Sequence, residues 1–168
     1  YYVNKSSLPK VYGGFNTSLS WKGFDLSAIF AYSIGGYIYN RDITMILHNG
    51  SLEGRAWSTE ILRRWTPDNR YTDVPALSTT SNNWNSASTR FLQNNSYMRL
   101  KNLTLSYNLP KPWVSKLALS SVQVYVQGDN LFTIHKNQGL DPEQGITGIT
   151  YYRYPAMRTI SGGINIAF

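Results

Sequence analysis

Five segments of the chain alternate between apolar and polar residues with a period of two. They run from Val11 to Lys22, from Phe24 to about Ile38, from Tyr97 to Leu109, from about Ser120 to Thr133, and from Thr159 to Phe168. Successive side chains of a β-strand point to opposite faces of a sheet, so each segment predicts a strand with one apolar and one polar face. The pattern therefore predicts an all-β protein.

The third segment contains a change of phase. Met98 and Leu100 are apolar at even positions, whereas Leu103 and Leu105 are apolar at odd positions. An extra residue in one strand shifts the side chains that follow it, and a β-bulge is the usual way in which an antiparallel sheet accommodates that residue. We predict a bulge near Lys101.

The connections between the predicted strands alternate in length. The first and third connections are short, whereas the second, at about 39–95, and the fourth, at 134–154, are long. Successive antiparallel strands reverse direction, so the short turns collect at one end of the sheet and the long loops at the other. This arrangement is typical of transmembrane β-barrels, which have short periplasmic turns and longer extracellular loops.

Aromatic residues lie near the short-turn ends of the strands, at one predicted level. Rings at such a level are typical of the interface between lipid and water. The predicted lipid-facing anchors are Trp21, Phe24, Tyr107, Trp113 and Phe168. Five strands cannot close around a lumen, and an open edge in lipid would leave backbone groups unpaired. We therefore expect the chain, with Phe168 at its closing strand, to be part of a larger transmembrane antiparallel β-barrel.

Composition agrees with a barrel and argues against other classes. The 168 residues are 42% hydrophobic and 14% aromatic, and the mean hydropathy is −0.33. No apolar run reaches the length of about 18 residues that a transmembrane helix needs. The chain has no Cys, which excludes disulfides and thiolate chemistry. Its net charge of +7 is scattered, and without a basic and aromatic run we expect no nucleic-acid partner.

The long second connection carries one helical signal. Trp57, Ile61 and Trp65 recur at a spacing of four residues, and Pro67 follows them. Apolar residues at this spacing indicate an amphipathic helix, and proline ends one. We predict a short loop helix near Ser58–Trp65.

Several of these segments resemble the SusC/RagA-like TonB-linked outer-membrane proteins. Residues 96–110, SYMRLKNLTLSYNLP, are similar to the segment SYLRLKNLTLGYNLP of that family. Further motifs follow the family order: YGG at 12–14, WKGFDL at 21–26, RWTP at 64–67, NLFT at 130–133, GLDPE at 139–143 and YP at 154–155. Each motif alone is weak, but the ordered set covers essentially the whole chain.

The resemblance implies that residues 1–168 are the C-terminal portion of a 22-stranded transporter, with the plug domain and the earlier strands upstream. Such proteins import oligosaccharides, peptides or other large nutrients across the outer membrane of Gram-negative bacteria. The implied partners are a SusD-like surface lipoprotein, which acts as a lid, the TonB complex, which supplies energy, and outer-membrane lipid. No constellation of residues in the sequence supports an enzyme, and we expect no cofactor.

Residues that could suggest catalysis have simpler roles. Asp141 and Glu143 lie two residues apart, but no other residue supports acid–base chemistry, so we expect a loop turn with Glu143 solvated or paired. His48 and His135 have no partners at metal-ligand spacing, so we expect neither a metal site nor a catalytic site. Asn130 is expected to cap backbone groups of an adjoining loop.

The candidates for substrate contact are aromatic and arginine residues of the long loops. Aromatic rings stack on sugar faces or on apolar side chains, and guanidinium groups bind carboxylates or carbonyls. The candidates are Trp57, Trp65, Trp84, Arg90, Tyr151, Tyr152 and Arg153. The alternative for each is packing among the loops or against the lid.

Two other functional classes remain open on the sequence. A passive porin or structural barrel would share the strand pattern but would need no plug. A soluble β-sandwich that binds carbohydrate would share the alternation but would need no ring of aromatic residues at its strand ends.

Overall fold

A computed structural model of the chain describes residues 3–50, 52–78, 80, 84, 86–137, 139, 141–143 and 145–168. Leu140, within the GLDPE motif, lies outside the described residues. The chain divides into two compact units. We call the first the sheet unit; it consists of Pro9–Gly36, Asn95–Glu143 and Tyr154–Phe168. The second, the loop unit, consists of Tyr1–Leu8, Tyr37–Asn94 and Gln144–Arg153.

Strands dominate the described secondary structure. They are β1 (Val11–Trp21), β2 (Phe24–Ile34), β3 (Tyr37–Asn40), β4 (Leu92–Asn94), β5 (Tyr97–Asn108), β6 (Ser121–His135), β7 (Ile149–Thr150) and β8 (Thr159–Ala167). The α-helices are α1 (Arg41–Ile46) and α2 (Lys111–Val114), and 3-10 helices cover Thr59–Arg63, Thr89–Phe91 and Ser115–Leu117. Among the described helices, none is long and apolar enough to cross a membrane.

The sheet unit contains a five-stranded sheet in the order β1-β2-β5-β6-β8. Every neighbouring pair is antiparallel. These strands are the predicted ones with small shifts at their ends, and the largest difference is that β2 ends at Ile34 and does not continue to about Ile38. Gly35 and Gly36 have φ of 84° and 75°, a conformation that favours glycine. They end the strand, and Tyr37–Asn40 pairs in the other unit as β3.

The register places most apolar side chains of the sheet opposite apolar side chains, with Ile29, which pairs with Asn16 and Asn102, as an exception. One row joins Trp21, Phe24, Tyr107, Val124 and Ile164. A row on the other face joins Ser18, Ser27, Thr104, Gln127 and Ser161. Since a shift by one residue would exchange the faces, this register separates an apolar face from a polar face.

The apolar face of the sheet is exposed. The side chains of Leu19, Ile160 and Ile164 are among its most exposed, at 66%, 72% and 62%. Monomeric soluble proteins rarely expose contiguous apolar patches larger than a few hundred Å². Such a face needs lipid or protein to cover it.

The turn between β1 and β2 is a two-residue hairpin loop. Its central residues, Lys22 and Gly23, both have positive φ, at 48° and 89°. This is the requirement of a type I′ turn, whose twist matches the twist of the flanking strands. The second short connection is built on α2, where Val114 is buried.

The predicted bulge is confirmed. On β2, Ile29 pairs with Asn102 and Phe30 pairs with Leu100, so Lys101 is the extra residue. On the β6 side the register skips Asn130, which has φ of 53°, and Leu131, and the ladder resumes at Phe132.

The loop unit contains a three-stranded sheet in the order β4-β3-β7. Its buried apolar side chains are Ile38, Ile61, Val74 and Phe91. The helix α1, which the apolar pattern of the sequence does not predict, is capped by the Asn40 carboxamide, whose Oδ1 accepts a hydrogen bond of 3.1 Å from Ile43 N.

The predicted loop helix is shorter than expected and has 3-10 geometry. It covers Thr59–Arg63, and Ser58 Oγ caps it by accepting from Glu60 N at 3.3 Å. Trp65 leaves the helix because its backbone N–H donates to Val74 O at 2.8 Å. Tertiary pairing therefore overrides the helical spacing, and Trp57 and Trp65 do not share a helical face with Ile61.

One glycine of β1 allows a close approach of the neighbouring strand. A Cβ on Gly14 would lie 2.8 Å from the carbonyl oxygen of Phe30. We expect Gly14→Ala to lower the free energy of unfolding by about 1–3 kcal/mol because backbone must move. Thermal unfolding of the full-length protein in detergent measures this. Ser18→Ala, on the same strand, is the control and should change it by less than about 0.5 kcal/mol; equal effects of the two variants would refute the close approach.

Candidate substrate-binding site

The polar face of the sheet carries a chain of side-chain hydrogen bonds near the short-turn end. Asp25 accepts from Ser20 Oγ at 2.5 Å and from Asn108 Nδ2 at 2.7 Å. Gln123 Nε2 donates to Asn108 Oδ1 at 3.1 Å, and Asn165 Nδ2 donates to Gln123 Oε1 at 3.1 Å. Polar side chains on this face are therefore held by their cross-strand neighbours.

Farther along the same face lies a buried ion cluster centred on Arg99. The Arg99 side chain is 4% exposed, and its Nη2 lies 2.5 Å from Asp141 Oδ1. Its Nη1 lies 2.8 Å from Glu143 Oε2, and its Nε donates to Thr133 Oγ1 at 2.9 Å. Lys101 Nζ lies 2.5 Å from Glu143. All three guanidinium nitrogens are bound, so this buried charge is fully partnered.

Asp141 ties together two points of the last long loop. Its carboxylate accepts hydrogen bonds from Glu143 N at 2.9 Å and from Ala156 N at 2.6 Å. Burial favours a higher pKa for Asp141, but the hydrogen bonds from Ala156 N, Arg99 and Glu143 N outweigh it and lower the pKa below its ordinary value. Glu143 is ion-paired, one of the two roles that the sequence suggested.

Arg99 itself was not singled out in the sequence. Its position in the sequence could have identified it, because it is an arginine two residues before the predicted bulge, on the polar face of a strand. Asn130 has the expected capping contact, since its Nδ2 donates to Met157 O at 3.1 Å.

Trp65, Trp84 and Arg90 line one open cavity of about 490 Å³ in the loop unit. The Arg90 guanidinium lies 3.5 Å from the centroid of the Trp84 ring, and its Nη2 donates to the carbonyl oxygen of Asp73. Trp84 Nε1 donates to Leu47 O. Arg90 covers a face of the Trp84 ring, so Trp65, 43% exposed, is the cavity aromatic with more free surface.

Burial affects the electrostatics of Arg90. It lowers the pKa of Arg90 from the ordinary value, and the Asp73 carboxylate acts in the opposite direction. A guanidinium remains protonated in proteins despite such shifts. Arg90 therefore stays a cation that holds the cavity wall through Trp84 and Asp73.

Trp57 lines a second open cavity, of about 680 Å³, together with His48, Glu53 and Arg55. His48 is 1% exposed. Its Nδ1 accepts from Trp57 Nε1 at 3.0 Å and from Gly50 N at 3.3 Å. These contacts fix the direction of the indole, and Trp57 keeps 45% of its surface exposed.

The aromatic pair of the last long loop packs on α1. The Cζ atom of Arg41 lies 4.8 Å from the Tyr151 ring centroid. Tyr152 N donates to Asp42 Oδ1 at 3.0 Å, and Arg55 Nη1 donates to the Tyr152 hydroxyl at 3.3 Å. Tyr152 is thereby placed beside the wall of the Trp57 cavity. Arg153 is exposed.

The structure thus sorts the predicted substrate residues into groups. Trp65, Trp84 and Arg90 share one cavity, and Trp57 lies in another with Tyr152 at its wall. Within the part of the chain that the structure describes, no group of three or more His, Asp or Glu could hold a metal ion. The arrangement suits noncovalent binding, because the carboxylates of Asp141 and Glu143 are occupied by cations.

The predicted lipid-facing anchors occupy the turn end of the sheet. Trp21, Phe24 and Tyr107 lie in one row, and the Phe24 and Tyr107 rings are 4.4 Å apart. Trp113 lies in α2, and Phe168 follows β8.

The hydrogen bonds from Glu143 N and Ala156 N to the Asp141 carboxylate predict that the stability of the last long loop depends on pH. Because the pKa of Asp141 is lowered in the folded protein, its contribution to stability is present above about pH 4 and is lost as the pH falls through the folded-state pKa. We expect the Ala156 amide to exchange with solvent faster in that acidic range. In Asp141→Asn the stability loss is about 3 kcal/mol, because a buried cation loses a charged partner.

Hydrogen exchange of the Ala156 amide, corrected for the intrinsic pH dependence of exchange, measures both effects. Asp68→Asn, which changes an exposed carboxylate, is the control and should leave this exchange rate unchanged. If the exchange rate of the Ala156 amide is the same in Asp141→Asn as in the unmodified protein, Asp141 does not hold this part of the loop.

Comparisons with known proteins place the chain among receptors. No family model matches it. It is 37% identical over 167 residues to TonB-dependent receptor P3 of Formosa agariphila, a match that covers 92% of this chain and 16% of that protein. It is 27% identical to TonB-dependent receptor SusC of Bacteroides thetaiotaomicron, over 99% of this chain and 16% of SusC.

Solved structures give the same result. The RagAB peptide importer in its closed-closed state matches with a TM-score of 0.84 and 36% identity, over 99% of this chain and 18% of the matched chain. The open-open state matches with a TM-score of 0.85 and 35% identity, with the same coverage. The chain therefore spans less than a fifth of the length of these relatives.

The names of these relatives describe receptors and importers, not enzymes. The ordered motifs, the antiparallel sheet and the relatives agree over nearly the whole length of this chain. The chain belongs to the SusC/RagA-like family of TonB-dependent receptors.

Proposed function

We propose that the chain forms part of the barrel wall of an outer-membrane importer that takes up a large nutrient with energy supplied through TonB. The observation that carries this proposal is the five-stranded sheet with an exposed apolar face on one side and hydrogen-bonded polar side chains on the other. Lipid can cover the first face, and the second suits a water-filled or plug-filled lumen.

The edges of the sheet support a larger, closed barrel. In the described sheet, β1 and β8 are the outer strands. Backbone groups on an open edge have no partners in lipid, so both edges need further strands. Residues 1–168 would be the C-terminal portion of a 22-stranded barrel, whose plug and remaining strands come from elsewhere in the protein.

The anchors and loops then take defined positions. Trp21, Phe24, Tyr107, Trp113 and Phe168 would lie in the periplasmic interface of the membrane, facing lipid. The long loops between the strands would lie on the extracellular side, where a SusD-like lipoprotein would close over them. The substrate would contact Trp57, Trp65 and Tyr152 most directly, and Trp84, Arg90, Tyr151 and Arg153 would shape the same surface.

The substrate would be an oligosaccharide or a peptide. The matched RagAB complexes are described as a peptide importer, and they share 35% to 36% identity with this chain. That description favours a peptide.

The apolar face provides a direct test of lipid contact. Ile160 is 72% exposed on that face, in the row of Gly128, and Ser161 lies next to it on the polar face. We expect Ile160→Arg to destabilise the inserted receptor by about 2–4 kcal/mol, because it places a charge in the membrane core. Ser161→Arg, the matched control, faces water and should be tolerated.

Urea unfolding of the full-length receptor refolded into vesicles measures both variants. Equal stabilities of the Ile160 and Ser161 variants would mean that lipid does not cover this face.

The energy requirement is tested by uptake. In a Gram-negative host that expresses the full-length receptor, we expect receptor-dependent uptake of labelled peptide to be lost when TonB is inactivated, because transport needs the inner-membrane proton gradient. Removing the receptor alone gives the baseline. Uptake that persists without TonB would favour a passive pore.

A further inference from the structure

The Trp57 cavity differs from the other loop cavity in its charges: Asp73 and Arg90 of the other cavity are ion-paired, whereas no described ion pair involves the charges of the Trp57 cavity. Its wall carries two opposite charges, Glu53 and Arg55, two residues apart, together with an exposed indole. At about 680 Å³ its volume lies within the range of about 300–1,000 Å³ that is usual for ligand sites.

Both charges are free of ionic partners. Among the described residues, neither Glu53 nor Arg55 takes part in an ion pair. The contacts of Arg55 Nη1 are neutral: the Tyr152 hydroxyl at 3.3 Å and the Met45 sulfur at 3.8 Å. Glu53 and Arg55 are both exposed. Their charges are therefore available to a ligand.

The indole is oriented by the protein. Trp57 Nε1 is satisfied by His48 Nδ1 at 3.0 Å, so the part of Trp57 left for a ligand is its apolar ring surface. Leu52 and Leu77 also line the cavity. His48 is thus a positioning residue for Trp57.

These features select between ligand classes. A neutral oligosaccharide could stack on Trp57 and hydrogen-bond to Glu53 and Arg55 through its hydroxyls, but it supplies no opposite charge to either of them. A short peptide with free ends supplies an ammonium group for Glu53, a carboxylate for Arg55 and an apolar side chain for the indole.

We infer that the Trp57 cavity is a subsite for a short peptide with free termini, in which Glu53 binds the N-terminal ammonium group, Arg55 binds the C-terminal carboxylate and Trp57 packs on an apolar side chain. The inference rests on the proposed import function, since it names the substrate class of that same site.

The test uses the full-length receptor in detergent and one short apolar peptide in free, N-acetylated and C-amidated forms. Glu53→Gln should weaken binding of the free and C-amidated forms about threefold and leave the N-acetylated form unchanged, as for an exposed ion pair. Arg55→Gln should weaken the free and N-acetylated forms and leave the C-amidated form unchanged. Trp57→Ala should weaken every form about tenfold, because the apolar contact is lost.

Arg70→Gln is the charge control, since exposed Arg70 donates to Pro67 O outside this cavity. It should leave all affinities unchanged, and gel mobility before and after heating reports that each variant is folded.

The inference is overturned if Glu53→Gln and Arg55→Gln weaken all peptide forms equally or none, or if the unmodified receptor binds a neutral oligosaccharide but not the free peptide. If uptake does not depend on TonB but the variants respond to the N-acetylated and C-amidated peptides as expected, the proposed energised import is wrong and the peptide subsite is still supported.

Discussion

The structure depends on the register of the antiparallel ladder. Backbone hydrogen bonds between neighbouring strands align apolar rows such as Trp21, Phe24 and Tyr107 on one face, and a slip by one residue at any strand would send its side chains to the wrong face. The type I′ turn at Lys22 and Gly23 sets the register of the first pair. The two-faced wall, and the function proposed for it, follow from this alignment.

The bulge at Lys101 connects the ladder to the buried charge. Without the extra residue, Arg99 and Asn102 could not both point to the polar face. With it, Asn102 Nδ2 donates to Asp129 Oδ1 at 2.7 Å, and Arg99 reaches Asp141 and Glu143. The bulge thereby allows β5 to bind β6 through Asn102 and the last long loop through Arg99.

The strands were predictable because each is specified locally. Alternation over about ten residues is a strong signal for a half-buried or lipid-facing strand, and even the bulge showed as a change of phase between Leu100 and Leu103. The loop unit was less predictable. The helical spacing of Trp57, Ile61 and Trp65 gave way to a 3-10 helix because Val74, which lies beyond the predicted helix and after Pro67, accepts the hydrogen bond of the Trp65 N–H.

Local sequence patterns specify the strands, the bulge and the alternation of short and long connections, and they supply the loop residues proposed to contact a ligand. Tertiary contacts are needed to show which side chains lie together: Arg90 covers Trp84, His48 orients Trp57, and Arg99 binds both carboxylates of its cluster. The difference arises from the range of the interactions. The alternation of a strand depends on residues that are adjacent in sequence. Cavities and ion clusters join side chains from separate segments, which come within hydrogen-bond distance only when the chain folds.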